Sequence, residues 1–332
     1  MINFCTLFDS NYLSKGISLY LSLDKVSNDF HLYVMAFDRA CYEKLKSLGF
    51  HNMTIDLWDD WETSEIKAVK DDRTRAEYCW TCGPTVIYHF LNHYNLTDIT
   101  YLDSDLYFVG NPQIAFDEIG SASIAITEQG ISKEAAIMYG KYCVQFMFFR
   151  NDSNGIEALK WWRDSCIEWC YMRFEEDKYA DQKYLDQFPL RFNGVYVLQN
   201  PGVGVAPWNM YRYRYNSDGK SLIKGDVEYP IVFFHMHGLK GIIDDNSLLL
   251  KSSDVIISKE LERVFFKDYA DLLAKVFNQY LSKTIEKVQV KGISKWRTLE
   301  LLLRKRLNKI EWLRRIYYRL VGKKDYSSGT KL

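Results

Sequence analysis

Two aspartates one residue apart, Asp103 and Asp105, end a β-rich apolar run, Ile99-Thr100-Tyr101-Leu102, and the chain turns apolar again at Leu106-Tyr107-Phe108. Hard divalent cations such as Mg²⁺ and Mn²⁺ prefer carboxylate oxygens and share their remaining positions with a substrate's phosphates. In an open α/β sheet, ligands collect beyond the carboxyl ends of the strands. The triplet therefore predicts either a metal-diphosphate site or a solvated acidic turn that only terminates its strand. A second run, Ile231-Val232-Phe233-Phe234-His235-Met236-His237-Gly238-Leu239-Lys240, repeats the design. Imidazole can ligate a metal and a Lys ammonium can pair with phosphate, although a strand-end His also serves as a plain hydrogen-bonding group. Arg73 and Arg75, in the charged connector Lys70 to Arg75, either reach a diphosphate or stay solvated. After a loop from Pro201 to Asn209 with Trp208 in it, Tyr211-Arg212-Tyr213-Arg214-Tyr215 interleaves aromatic faces with guanidinium groups. Such a run stacks on sugar rings or bases, or packs as an edge strand.

These side chains need a scaffold, and the first sixty residues supply its rhythm. Residues 2 to 8 predict a buried strand and residues 9 to 12 a turn, followed by a helix over 13 to 23. A second strand lies between 29 and 37, and Asp38 caps a helix that runs to Leu48 and stops at Gly49. A third strand falls within 50 to 57. This β-α-β-α-β order implies a parallel sheet covered by helices. Further helices are expected at 61 to 69, 81 to 93 and 156 to 174, and further strands at 122 to 127, 142 to 149 and 193 to 198. There is no Gly-x-Gly-x-x-Gly and no Gly-Lys-Ser/Thr loop, so a dinucleotide fold and a P-loop enzyme are both unsupported.

The chain of 332 residues has 47% hydrophobic and 16% aromatic content, ample for a packed core. Formal charge is zero but uneven: thirteen Lys/Arg against Glu300 and Glu311 give residues 287 to 324 a net +11, and residues 1 to 286 carry −11. Helices are expected over Glu260 to Val288 and Trp296 to Val321, the second basic and amphipathic with Trp312, Tyr317 and Tyr318 on it. Such a helix docks on an anionic membrane surface or packs on its own domain or a second subunit. A nucleic-acid role is disfavoured, because the rest of the chain is acidic. Seven cysteines show no secreted framework, and Cys79-x-x-Cys82 lacks a second pair at zinc spacing. With no signal peptide and no run of ~20 apolar residues, a cytoplasmic protein is expected, peripheral on the inner face of the cytoplasmic membrane.

Four stretches in order resemble the GT-A glycosyltransferases, and among them the family-8 type: Asp9-x-Asn11-Tyr12, Tyr101-Leu102-Asp103-x-Asp105, Asp181-Gln182, and His235-x-x-Gly238 with Lys240 after it. The resemblance spans roughly residues 1 to 241. It implies a mixed, mostly parallel Rossmann-like sheet with flanking helices, as a transferase domain over 1 to 250 with a helical tail over 256 to 325. It also implies a retaining enzyme that uses a nucleotide sugar, UDP-linked, with Mn²⁺ or Mg²⁺. Asp9 and Asn11, with Tyr12 beside them, would hold the nucleoside, Asp103, Asp105 and His235 the metal, and Lys240 the diphosphate, with Arg75 as a substitute for the family's upstream Arg. Asp181 or Gln182 would face the donor's anomeric carbon. The family's Asn-Ala-Gly strand reads Cys143-Val144-Gln145 here, so a donor-sugar contact is replaced. Lys240 comes one residue early, and the Pro-Trp that follows it in the family is Gly241-Ile242. The implied acceptor is a glycan or lipid-linked saccharide in bacterial surface polysaccharide synthesis. The alternatives are an inverting GT-A enzyme and a catalytically silent glycan- or nucleotide-binding protein docked to membrane.

Overall fold

The computed structural model describes residues 1–252 and 258–292. The chain begins β1 (Ile2–Phe8), α1 (Leu13–Val26), β2 (Phe30–Ala36), α2 (Arg39–Leu48), β3 (Met53–Leu57), as the sequence predicts. Asp38 caps α2 by accepting from the Cys41 amide, and Gly49 ends it in the left-handed region at φ 63°, where a Cβ is disfavoured. Next come α3 (Ser64–Ala68), α4 (Arg75–His93), β4 (Asp98–Leu102), β5 (Leu106–Phe108), α5 (Gln113–Ile119), β6 (Ile124–Glu128), α6 (Lys133–Tyr139), β7 (Tyr142–Arg150) and α7 (Ser153–Glu168). Helix α4 starts six residues before the expected Thr81, because Thr74 and Glu77 form a reciprocal capping box at its start.

The main sheet runs β3-β2-β1-β4-β7-β6-β8, with β8 at Val195–Leu198. Every neighbouring pair is parallel except those made by β7, which is antiparallel to both β4 and β6. The mixed, mostly parallel sheet with flanking helices is therefore present. Both faces are covered, which explains why β1 is buried along its whole length. Cys5 and Leu7 join the core under α3, α4 and α7, while Phe4 and Phe8 join the core under α1, α2 and α5.

The second half adds α8 (Phe188–Arg191), β9 (Val203–Val205), β10 (Arg214–Tyr215), β11 (Ser221–Lys224), β12 (Val227–Pro230), β13 (Phe233–His235), β14 (Leu239–Asp244), β15 (Ser247–Ser252), α9 (Lys259–Leu261), α10 (Lys267–Tyr280) and β16 (Lys287–Lys291). Two expected helices are shorter than predicted. Helix α7 ends at Glu168 because tertiary bonds claim the next residues: the Trp169 carbonyl accepts from Tyr184 and the Tyr171 carbonyl from Ala180. The helix expected to reach Val288 ends at Tyr280, the Asn278 side chain clasps the backbone of Ile285, and 287–291 become a strand parallel to β15. The expected helix over Trp296 to Val321 lies outside the described residues. Among the described residues, no helix is long and apolar enough to cross a membrane.

Candidate functional site

The carboxyl edge of the sheet gathers acidic residues from successive strands: Asp9 after β1, Asp38 after β2, Asp103 after β4. A three-stranded sheet then brings the distant histidine to that edge. Strand β5 leaves the acidic turn and pairs antiparallel with β13, placing His235 opposite Leu106, and the Met236 amide donates to the Asp105 carbonyl. Backbone pairing thus fixes an imidazole beside two carboxylates. Asp103, Asp105 and His235 each offer a ligand atom within 4.8 Å of the others. His235 Nε2 lies 3.1 Å from Asp105 Oδ1 and 3.6 Å from Asp103 Oδ2. One nitrogen and two carboxylate donors suit a divalent cation that accepts mixed N and O ligands.

Gln145 orients the imidazole. Its Oε1 lies 2.8 Å from His235 Nδ1 and its Nε2 donates to Thr127 Oγ1 at 3.2 Å. An amide oxygen only accepts, so Nδ1 carries the proton and Nε2 turns to the carboxylates. The residue sits where β7 shifts register against β6, and such bulges re-aim side chains. Gly204 makes room for it: at φ 131°, a Cβ there would stand 2.4 Å from Gln145 Nε2. The sequence marks Gln145 only as a missing sugar contact. Its partnership with His235 is legible only in space.

Charges within the cluster are strongly coupled. Burial resists a charge on His235, but Asp105 outweighs it, so the metal-free imidazole is held protonated, its pKa pushed up to about 10. Burial would likewise raise Asp105, yet His235 and Lys15 hold it far below the carboxylate range. Asp103 is pushed up to about 6, by burial first and by Asp105 against the pull of His235. Its side chain keeps 29% of its surface open, which moderates the burial effect. Asp181 is buried and pushed up to about 8 by burial and then by Asp103.

The other predicted residues have partners of their own. Asp9 accepts from the Asn11 amide at 2.9 Å and from Arg75 Nε at 2.5 Å, so Arg75 stands at the expected nucleoside corner. Arg73 is buried instead, donating to the Ile167 carbonyl at 2.7 Å. Tyr12 is exposed, with the Lys15 ammonium 4.4 Å from its ring centre. Gln182 donates to the Tyr139 carbonyl at 2.8 Å. Lys240 occupies an exposed position on β14, opposite Lys251 in register, and the structure does not bring it to the cluster through any ion pair among the described residues. Trp208 packs edge-on against His235, with ring centres 5.3 Å apart, and donates to the Gln129 carbonyl. The sequence reading missed Lys15, 3.3 Å from Asp105 Oδ2; a lone Lys in a helix carries no pattern. All seven cysteines are free. A hollow of about 340 Å³ is lined by Thr127, Gly130, Asn200, Gly204, Asn209 and Arg212 among others, of which Thr127 and Gly204 also flank Gln145.

No family model matches this sequence. The chain is 30% identical over 243 residues to the uncharacterized protein YfnD of Bacillus subtilis, covering 71% of this chain and 77% of the relative. It is 27% identical over 248 residues to the uncharacterized protein YfnF of the same organism, covering 71% and 81%. Among solved structures it is similar to the galactosyltransferase LgtC in complex with donor and acceptor sugar analogs, at 14% identity and TM-score 0.45, over 71% of this chain and 87% of that one. It is also similar to mouse xyloside xylosyltransferase 1, at 14% identity and TM-score 0.46, over 71% and 97%.

Proposed function

This chain belongs to the family of YfnD of Bacillus subtilis, and from its sheet and its Asp-Asp-His cluster we propose that it is a metal-dependent GT-A glycosyltransferase that moves a sugar from a UDP-linked donor to a hydroxyl of a glycan or lipid-linked saccharide, with retention. The observation that carries the reading is the convergence of Asp103, Asp105 and His235 at the carboxyl edge of a mostly parallel sheet. The donor set fits Mn²⁺ or Mg²⁺, which when bound offsets charge on a leaving diphosphate. The chain's own groups arrange the rest. Asp9, Asn11 and Arg75 form the nucleoside corner beside β1. Asp181, next to Asp103, stands at the reacting face of the sugar, protonated at neutral pH in the metal-free protein and ionisable as a cation draws charge from Asp103. Trp208 closes one side of the imidazole and excludes water from it. The hollow beside Gln145, polar at Asn200, Asn209 and Arg212, has room for an acceptor sugar.

Calorimetry with UDP tests the reading. Binding that needs Mn²⁺ and disappears in Asp103→Asn supports it. Metal-independent binding, or an Asp103→Asn variant with unchanged donor hydrolysis, overturns it.

A further inference from the structure

Asp105 is engaged on both oxygens by basic side chains of this chain: Oδ1 faces His235 Nε2 at 3.1 Å and Oδ2 faces Lys15 Nζ at 3.3 Å. Lys15 comes from the first turn of α1, immediately after the Asp9 turn, and its side chain is only 18% exposed. Its ammonium also lies over the Tyr12 ring, 4.4 Å from the centre, so two contacts hold it at the mouth of the cluster. Asp105 is thereby bracketed by an imidazole on one oxygen and an ammonium on the other. A divalent cation held between Asp103, Asp105 Oδ1 and His235 would bring its charge close to the ammonium on the other oxygen of the same carboxylate. Two positive charges crowded on one carboxylate repel, and the ammonium is the one free to swing aside.

We infer that Lys15 is a built-in counter-ion on Asp105 when no metal is bound, opposes the metal there through its like charge, and on displacement turns its ammonium onto the diphosphate of the nucleotide. This rests on the proposed transferase reading and deepens it: one lysine opposes metal binding alone and favours metal and diphosphate together. Removing the ammonium should therefore move the two affinities in opposite directions, which neither a plain structural role nor a plain phosphate-binding role would do.

The test uses the whole protein and Lys15→Met, with Lys15→Arg as the charge-preserving control. Free Mn²⁺ is counted by electron paramagnetic resonance without nucleotide, and UDP and UMP affinities are measured by calorimetry at saturating Mn²⁺. Like charges a few ångströms apart at a protein surface repel enough to expect Lys15→Met to bind Mn²⁺ about tenfold more tightly. UDP should bind about tenfold more weakly, with UMP little changed and Lys15→Arg near the parent in both assays. Mn²⁺ affinity that is unchanged or weaker in Lys15→Met overturns the inference, as does undiminished UDP affinity. A parent protein that binds no Mn²⁺ sinks the transferase reading itself, an outcome visible before any Lys15 variant is made.

Discussion

On the proposed reading, a proton stands where the metal would bind. In the metal-free cluster His235 is protonated, its pKa pushed up to about 10, and a metal needs the Nε2 lone pair. Below that value each unit of pH should cost up to about tenfold in Mn²⁺ affinity through this one proton. Affinity should therefore rise across the neutral range, and His235→Gln should bind weakly with a flattened slope; calorimetry over a pH series checks both. Asp181 makes the opposite kind of statement, about stability. Its folded pKa of about 8 exceeds the ordinary 3.8, so between those values the folded state holds a proton that the unfolded chain has released. Stability from this group is full below about pH 4 and declines as pH rises toward 8, by roughly 1.4 kcal/mol per unit. Asp181→Asn should accordingly raise Tm in EDTA at neutral pH and change it little in acid. A variant with the same Tm–pH curve as the parent would show that Asp181 is ionised in the fold.

Among the elements, the cap of α4 and strand β9 position the site. Helix α4 begins at Arg75 because the Thr74 and Glu77 side chains satisfy its first amides, and that start aims the guanidinium at Asp9. Thr74→Ala should cost about 1 kcal/mol in urea unfolding and weaken nucleotide binding through Arg75. Strand β9 acts through an absent side chain. Gly204→Ala would put a methyl 2.4 Å from Gln145 Nε2 in a backbone region that favours glycine. The amide must then swing away from His235 Nδ1, so the variant should lose Mn²⁺ affinity by more than its drop in Tm accounts for. Equal losses in an unrelated Gly→Ala control on the surface, such as Gly225, would refute that route.

On the scale of the molecule, the segment after the sheet domain is part of the body. Phe265, Phe266, Tyr269 and Leu273 fill a third core with Phe234 and Tyr107, and Val276 joins the core under α1. A chain ending at residue 252 should unfold at lower temperature and expose dye-binding apolar surface, whereas one ending at 292 keeps every contact described. A basic tail that docks on anionic membrane remains our proposal for residues 293 onward; the shorter chain should then lose binding to vesicles containing anionic lipid. By itself the sequence determined the β-α-β opening, because apolar periodicity, the Asp38 cap and the Gly49 stop are local signals. It also marked Asp103, Asp105 and His235 as candidates, because residue type and strand-end position are local too. Only the tertiary structure decided that the imidazole meets the carboxylates, through pairing of β5 with β13. It alone gave Gln145 and Lys15 their partners, cut α7 short and ended α10 at Tyr280, because those outcomes depend on tertiary bonds and strand pairing, which apolar periodicity does not encode.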